Sequence, residues 1–188
     1  MKYLNEHELK VLKQYSAGLI SKEELEQIII HKATDNEIEY MLDKCIISKN
    51  SNDFEAIFWG IPKNLNKVKE VYLCGKYLLL EGHFEHENIV LTFQTFFNDN
   101  KENIQILLKA IEKIPKYISN NNPHSYIRKI IYAIGAQPEP YNLVALEKIV
   151  NETQEKTIKE LALHQIDKRK RLGRWEYEKN KLKENGKE

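Results

Sequence analysis

Apolar residues recur along this chain with the spacing of α-helices. In YIRKIIYAI, residues 126–134, the isoleucines fall at positions i, i+3, i+4 and i+7, on one face of a helix. A longer segment, residues 68–79, has the same spacing. No segment alternates apolar and polar residues over the length of a strand, and no Asn-Gly or Asp-Gly pair separates two apolar runs. The pattern therefore predicts an all-α protein.

Start and stop signals divide the chain into helices. The sequence SKEE, residues 21–24, is a capping box, in which the serine and the second glutamate each satisfy a backbone amide of the first turn. Proline, glycine and asparagine clusters mark the breaks. The predicted helices are residues 22–32, 35–48, 51–60, 65–81, 86–97, 101–114, 124–135, 140–150 and 154–180.

Two pairs of predicted helices repeat with an offset of 38 residues. The offset aligns Ile89 with Ile127, Phe93 with Ile131, Phe96 with Ile134, Leu107 with Ala145, Leu108 with Leu146, and Ile111 with Ile149. It also preserves the length of the turn within each pair. A period near 40 residues is typical of stacked helical repeats, and an irregular helical bundle with hairpins of similar length is the alternative.

The charge distribution divides the chain into three sections. Residues 1–60 carry 11 acidic and 7 basic groups (net −4), and residues 61–167 carry 13 of each. Residues 168–188 carry 4 acidic and 9 basic groups (net +5). We therefore expect an N-terminal helical section, a central repeat region and a charged C-terminal helix or tail.

The composition favours a cytoplasmic protein that does not enter a membrane. Of 188 residues, 41% are hydrophobic and 30% charged, with 7 glycines and 5 prolines, too few turn-formers for an all-β fold. The N-terminal residues lack the apolar core of a signal peptide, and no apolar run approaches the ~20 residues of a membrane span. Cys45 and Cys74 lie in apolar helical patterns, as expected of reduced cysteines.

The stretch LLLEGHFEHENIV, residues 78–90, places two histidines and three glutamates between apolar runs. His83 and His86 could bind a metal if both lay on one helix face. However, Gly82 is expected to end the preceding helix, and the His-Glu-x-x-His spacing of zinc hydrolases is missing. The favoured interpretation is structural: carboxylates stabilise the first turn of the next helix, and a histidine there hydrogen-bonds the preceding helix.

No other pattern predicts an enzyme. Nearly every carboxylate has a lysine or another carboxylate within one turn, which is typical of a solvated face and not of an acid with a raised pKa. The glycines are scattered singly, so no phosphate-binding loop is present, and Ser125 lacks a nucleophile motif. We expect no catalytic residue, no metal and no cofactor.

The repeat region resembles bacterial HEAT-like repeat proteins. His83, His86 and Glu87 match a His-x-x-His-Glu run that introduces the first repeat of these proteins, and RKIIYAIG, residues 128–135, is similar to the helix that opens the second. The resemblance covers about residues 70–166 and departs at QPEP, residues 137–140, where the family has a Gly-Thr-Pro-Glu-like turn. It implies a right-handed α-α superhelix of stacked antiparallel helix pairs, capped at one end by the N-terminal helical section.

Small HEAT-like proteins include immunity proteins of bacterial toxin systems. The resemblance therefore implies a protein-binding module, most concretely an immunity protein that binds and neutralises a cognate toxin. The acidic N-terminal section suits a basic toxin domain, because complementary charge speeds encounter. The candidate contacts near the repeat turn and in the N-terminal section are Glu81, Glu85, Glu87, Asp35, Glu39 and Asp53.

A nucleic-acid-binding repeat protein is the alternative. Basic and aromatic residues interleave in the tail, where cations could contact phosphates and aromatic rings could stack on bases. The candidate contacts are Lys168, Arg169, Lys170, Arg171, Arg174 and Trp175. The zero net charge of residues 61–167 weighs against this alternative, so a protein partner is favoured.

Overall fold

A computed structural model describes residues 4–30, 32–62, 65–121 and 123–185, with side chains as far as Gly173. Over these residues the regular structure is helical and contains no strand, which confirms the predicted all-α class. The helices are α1 Glu6–Ser16, α2 Lys22–Ile28, α3 Asp35–Ser48, α4 Ser51–Glu55, α5 Lys67–Leu78, α6 His86–Thr95, α7 Asn103–Glu112, α8 Lys116–Ser119, α9 Pro123–Ala136, α10 Tyr141–Glu152 and α11 Lys156–Asn185. A π-helical turn, Ala56–Gly60, continues α4.

Capping residues explain where α2 and α5 begin. Ser21 accepts the amide of Glu24 at 3.2 Å, and the Glu24 carboxylate accepts the amide of Ser21 at 2.7 Å, so the predicted capping box opens α2. Asn66 accepts the amide of Lys69 and places the start of α5 two residues later than predicted. α2 ends four residues early, and the amide of Ala33 donates to the carbonyl of Pro62.

Two helices were not predicted. α1 follows a second capping box, in which Asn5 and Glu8 exchange hydrogen bonds of 2.9 Å. This Asn-x-x-Glu signal was present in the sequence but lies ahead of a weakly apolar segment. α8 is only four residues long, too short to show a helical period.

The helices group into two compact units. The first comprises the chain up to Ile89 together with Pro115–Tyr117. Its α1 packs against α2, α4 and the π-helical turn, and α3 packs against α4 and the same turn. Side chains that are fully buried in it include Leu12, Leu42, Phe54, Tyr77 and Leu78. Residue 60, where the sequence suggested the end of an N-terminal section, falls inside this unit.

The second unit comprises Val90–Ile114 and the chain from Ile118 onward. Within it α9 packs against α7, α10 and α11, and α10 packs against α11. Fully buried side chains include Phe93, Leu107, Ile130, Ile131 and Leu146. Among the helices that the structure describes, none is both long and apolar enough to cross a membrane.

The offset seen in the sequence recurs in the helix boundaries. α9 begins 37 residues after α6, and α10 begins 38 residues after α7. Most aligned side chains are buried or half-buried, but Phe96 is 71% exposed while its counterpart Ile134 is buried. α6 ends at Thr95, and of the two phenylalanines that follow it Phe97 is buried and Phe96 is exposed. The superhelical stacking itself remains a prediction.

Candidate functional site

The chain leaves α5 through a tight turn built on Gly82. This residue has a φ of 108°, a conformation that side chains with a Cβ rarely adopt. A Cβ added there would lie 3.1 Å from the carbonyl oxygen of Ile46, near the end of α3. Glycine is therefore required both by the backbone conformation and by the close approach of the turn to α3.

His83 is buried in this turn and uses both ring nitrogens. Its Nε2 lies 2.8 Å from the carbonyl oxygen of Tyr77, and its Nδ1 accepts the backbone amide of Glu85 at 3.0 Å. A carbonyl can only accept, so Nε2 carries the hydrogen and the ring is the neutral Nε2–H tautomer. Burial lowers the pKa of His83 and favours this neutral form.

His86, the first residue of α6, hydrogen-bonds the chain just after the end of α5. Its Nε2 donates to the carbonyl oxygen of Leu80 at 2.8 Å, while its Nδ1 lies 3.2 Å from the Tyr117 hydroxyl. That hydroxyl also donates to the carbonyl of Phe84 at 3.0 Å, so one hydrogen is shared between two acceptors. Burial, and then the neighbouring His83, lower the pKa of His86 to about 3. Both histidines hydrogen-bond the end of α5, which confirms the structural interpretation.

The two imidazoles form part of an aromatic column. The ring of Phe54 stacks on Phe58 at 5.3 Å and on His83 at 4.2 Å, and His83 stacks on His86 at 4.1 Å. Tyr117 closes the column with its centroid 5.6 Å from His86. Within the described ranges, no group of three or more His, Cys, Asp or Glu side chains is arranged to hold a metal ion. All four ring nitrogens of the two histidines lie within hydrogen-bonding distance of groups of the protein itself.

Glu85 is a buried carboxylate at the start of α6. It accepts the indole Nε1–H of Trp59 at 2.7 Å and the amide of the Asn88 side chain at 2.8 Å. Its backbone carbonyl accepts the amide of Ile89 and begins the helical hydrogen bonding. The structure therefore places this predicted partner contact inside the protein, where it joins the π-helical turn to α6.

Glu39 is likewise paired within the first unit. Its carboxylate lies 2.8 Å from Lys69 Nζ and 2.9 Å from Lys76 Nζ, and it accepts the Tyr72 hydroxyl at 2.9 Å. The hydrogen bond from Lys69 is the largest cause that lowers the pKa of Glu39 to about 2. This carboxylate joins α3 to α5.

The four remaining acidic candidates lie in different surroundings. Asp53 forms an ion pair with Lys13 and accepts the side-chain amide of Asn50 at 2.7 Å. Asp35 and Glu87 are half-buried in the first turns of α3 and α6, and Glu81 is exposed beside Gly82. The six candidates are thus not brought together into one acidic surface, and whether they contact a partner remains a prediction.

A groove of about 370 Å³ opens beside this turn, which we call the turn groove. The end of α3, the residues around Gly82 and the start of α8 line it. Phe84 is 62% exposed and packs edge-on against Tyr117, with ring centroids 4.9 Å apart. Charged side chains of both signs, Lys49, Lys116 and Glu81, also line the groove.

The basic candidates of the tail lie on α11. The Lys168 ammonium is 6.0 Å from the ring of Tyr132, and Arg171 pairs with Asp167 at 2.9 Å. Arg169 is half-buried, and burial lowers its pKa. Lys170 is exposed. The side chains of the other two candidates, Arg174 and Trp175, lie outside the described residues.

The sequence did not single out the aromatic side chains of this site. Phe84 was visible as an isolated apolar residue among His and Glu, but its exposure depends on both neighbouring side chains turning inward. Trp59 and Tyr117 meet the turn from 26 and 31 residues away in sequence, and no local pattern reports such contacts. No protein-family description, characterised protein or solved structure matches this chain when it is compared with them.

Proposed function

We propose that this protein is a protein-binding module and that Phe84 is the central contact of its turn groove. The observation that carries the proposal is the contrast between neighbouring side chains. Phe84 is 62% exposed, whereas His83 and Glu85 on either side are buried and hydrogen-bonded. The backbone therefore holds an aromatic side chain out toward solvent in a fixed position.

Such an arrangement favours association in two ways. A buried aromatic side chain contributes more to binding than most other contacts, and aromatic residues are enriched at interface centres. A turn that is already ordered loses little conformational entropy when it binds. Tyr117 supports the Phe84 ring from one side, so the ring loses less freedom than one on a mobile loop.

We further propose that the partner is a bacterial toxin, which makes this chain an immunity protein that blocks it. This identification rests on the resemblance to HEAT-like proteins. The turn groove offers Glu81 to a basic group and Lys49 to an acidic group. Specific pairing with one partner is expected from such mixed charge, because a partner with the wrong sign at any of these positions leaves a charge unpaired.

We also propose that the second unit has the HEAT-like arrangement of stacked helix pairs. The similar spacing within the pairs α6–α7 and α9–α10, whose second helices begin 17 and 18 residues after the first, supports it. So does a shared polar contact: the buried side chain of Asn103 donates to the carbonyl of Phe97, and that of Asn142 to the carbonyl of Gly135. Each asparagine lies at the start of a second helix and bonds the end of the first.

The experiment compares two phenylalanine variants in the full-length protein. Phe84→Ala removes the proposed contact, and Phe96→Ala removes a ring of similar exposure that does not line the groove. Tagged wild-type protein and both variants are used to recover partners from the native cells at about physiological salt. The recovered protein is then purified and its affinity for each variant measured by calorimetry.

We expect Phe84→Ala to weaken binding by roughly 30-fold or more, as is usual for an aromatic hot spot, and Phe96→Ala to change it by less than 3-fold. Co-expression should show the same order in protection from a toxic partner. Equal affinities for both variants would contradict the role of Phe84. Recovery of nucleic acid that dissociates at high salt, in place of a protein, would favour the basic helix α11 instead.

A further inference from the structure

A second concave surface lies wholly within the second unit, between α7 and α10. It is a furrow of about 300 Å³, and we call it the α7–α10 furrow. Tyr141 and Val144, one turn apart on α10, are 47% and 63% exposed along it. Ile104 and Leu108, one turn apart on α7, contribute its opposite apolar wall. Ile104 is buried and Leu108 half-buried, so Tyr141 and Val144 are the exposed apolar side chains of the furrow.

Two lysines lie at the ends of the furrow, and one carboxylate, Glu102, also lines it. The Nζ of Lys101 lies 4.8 Å from the centroid of the Tyr141 ring, so one cation is held at the start of α10. Lys148 lines the furrow seven residues farther along the same helix, about 10 Å away at 1.5 Å per residue. Its exposed pair with Glu152 at 3.9 Å is too long and too solvated to neutralise it.

Buried amides fix the two walls. Asn103 at the start of α7 donates to the carbonyl of Phe97 at 2.7 Å, and Asn142 at the start of α10 donates to the carbonyl of Gly135 at 3.0 Å. Because both side chains are buried, these bonds hold each helix start in place. The furrow therefore exists before any ligand binds, and binding need not order it.

We propose that the α7–α10 furrow binds an extended acidic peptide segment of a partner protein. One or two apolar side chains of the segment cover Tyr141 and Val144, and a carboxylate at each end pairs with Lys101 or Lys148. An extended chain advances about 3.3 Å per residue, so carboxylates three positions apart span the distance between the lysines. This site is separate from the turn groove and does not depend on Phe84.

The test selects ligands from a displayed library of random twelve-residue peptides, using the full-length protein at low salt. The winning peptides are synthesised, and their affinities are measured for wild-type protein and for Lys101→Glu/Lys148→Glu. Lys109→Glu/Lys159→Glu is the matched control, because it makes the same change of charge at two exposed lysines outside the furrow. Circular dichroism checks that each variant keeps its helical content.

We expect the selected peptides to carry two acidic residues about three positions apart with apolar residues between them. Their affinity should fall more than threefold in Lys101→Glu/Lys148→Glu and in Val144→Asp, but not in the lysine control. Phe84→Ala should bind them like the wild type, which separates this site from the proposed turn groove. Selection of no peptide, selection of basic peptides, or a change of threefold or less in Lys101→Glu/Lys148→Glu would overturn the proposal.

Discussion

The two units meet the same physical requirement with different chemistry. In both, the last carbonyls of a helix are buried and need hydrogen-bond donors. In the first unit His83 and His86 supply them at the end of α5. In the second, Asn103 and Asn142 supply them at the ends of α6 and α9. In both units the donor follows, in sequence, the helix end that it bonds. The histidines can take up a proton, whereas the asparagines cannot.

This difference concerns more than protonation. An imidazole is flat and aromatic, so each histidine also stacks in the core of the first unit, with His83 between Phe54 and His86. An asparagine side chain is small and contributes the hydrogen bond with little packing area. The first unit therefore combines polar pairing and ring packing in the same residues, and we expect it to be more sensitive to substitution and to acid.

The largest effect is expected from His86→Ala. The substitution leaves the carbonyl of Leu80 without its donor and a ring-sized cavity beside Tyr117. Cavity and lost hydrogen bond together should lower the free energy of unfolding by about 4 kcal/mol. Urea unfolding followed by circular dichroism measures it. A loss no greater than that of Asn103→Ala would remove the proposed contrast between the units.

Asn142→Asp replaces a buried amide of the second unit by a carboxyl group, which titrates. The isosteric carboxylate cannot donate to the carbonyl of Gly135 and carries a buried charge, so we expect a loss of about 3 kcal/mol at pH 7. Burial raises the pKa of such a group, so the loss relative to wild type should shrink as the pH falls toward 4. Asn142→Leu provides the control, since its loss should not vary with pH.

The wild-type protein should lose stability between pH 7 and pH 5. The pKa of His86 is lowered to about 3 in the folded state, so only the unfolded chain takes up a proton as the pH falls through the ordinary value of 6.5. Linkage gives a loss of about 2 kcal/mol for His86 over this interval. Glu39, whose pKa is lowered to about 2 from 4.5, contributes only at lower pH.

His86→Gln is the variant that isolates this effect. It removes the titrating ring, so the slope of unfolding free energy against pH should become shallower than in the wild type. Urea unfolding at half-unit steps from pH 7 to pH 5 measures both slopes. Equal slopes would mean that His86 is not the group whose protonation opposes folding.

The smallest of these effects is expected from Tyr117→Phe. The change keeps the ring contact with His86 but removes the hydroxyl that joins Phe84 and His86. We expect a loss of about 1 kcal/mol, the usual net contribution of one hydrogen bond. A double-mutant cycle with His86→Gln should give less than the sum of the single losses, because both changes act on one network. Additive losses would argue against the shared hydrogen.

Local signals predicted much of the fold. The helical class follows from the apolar period, and the starts of α2 and α3 follow from residues that cap them. The structural role of the histidines could also be inferred, because a glycine between the apolar run and His83 separates the two helices. These features depend on residues only a few positions apart.

Contacts between distant residues could not be predicted in this way. Glu39 and Glu85 look like ordinary surface carboxylates in the sequence, yet donors 26 to 37 residues away surround them. The predicted helix 86–97 ends two residues early, at Thr95, and of the two phenylalanines that follow only Phe96 is exposed. Tertiary packing determines whether these side chains are buried or exposed, and the residues next to them in sequence do not indicate it.

The exposed ring of Phe84 has a consequence for how this surface can evolve. Its neighbours maintain the turn through their own hydrogen bonds, so the side chain at position 84 contributes little to folding. Under the proposed function, mutations there would be selected for binding to the partner and scarcely for folding. On that proposal, a change at this position alone could replace one target by another without altering the surrounding turn.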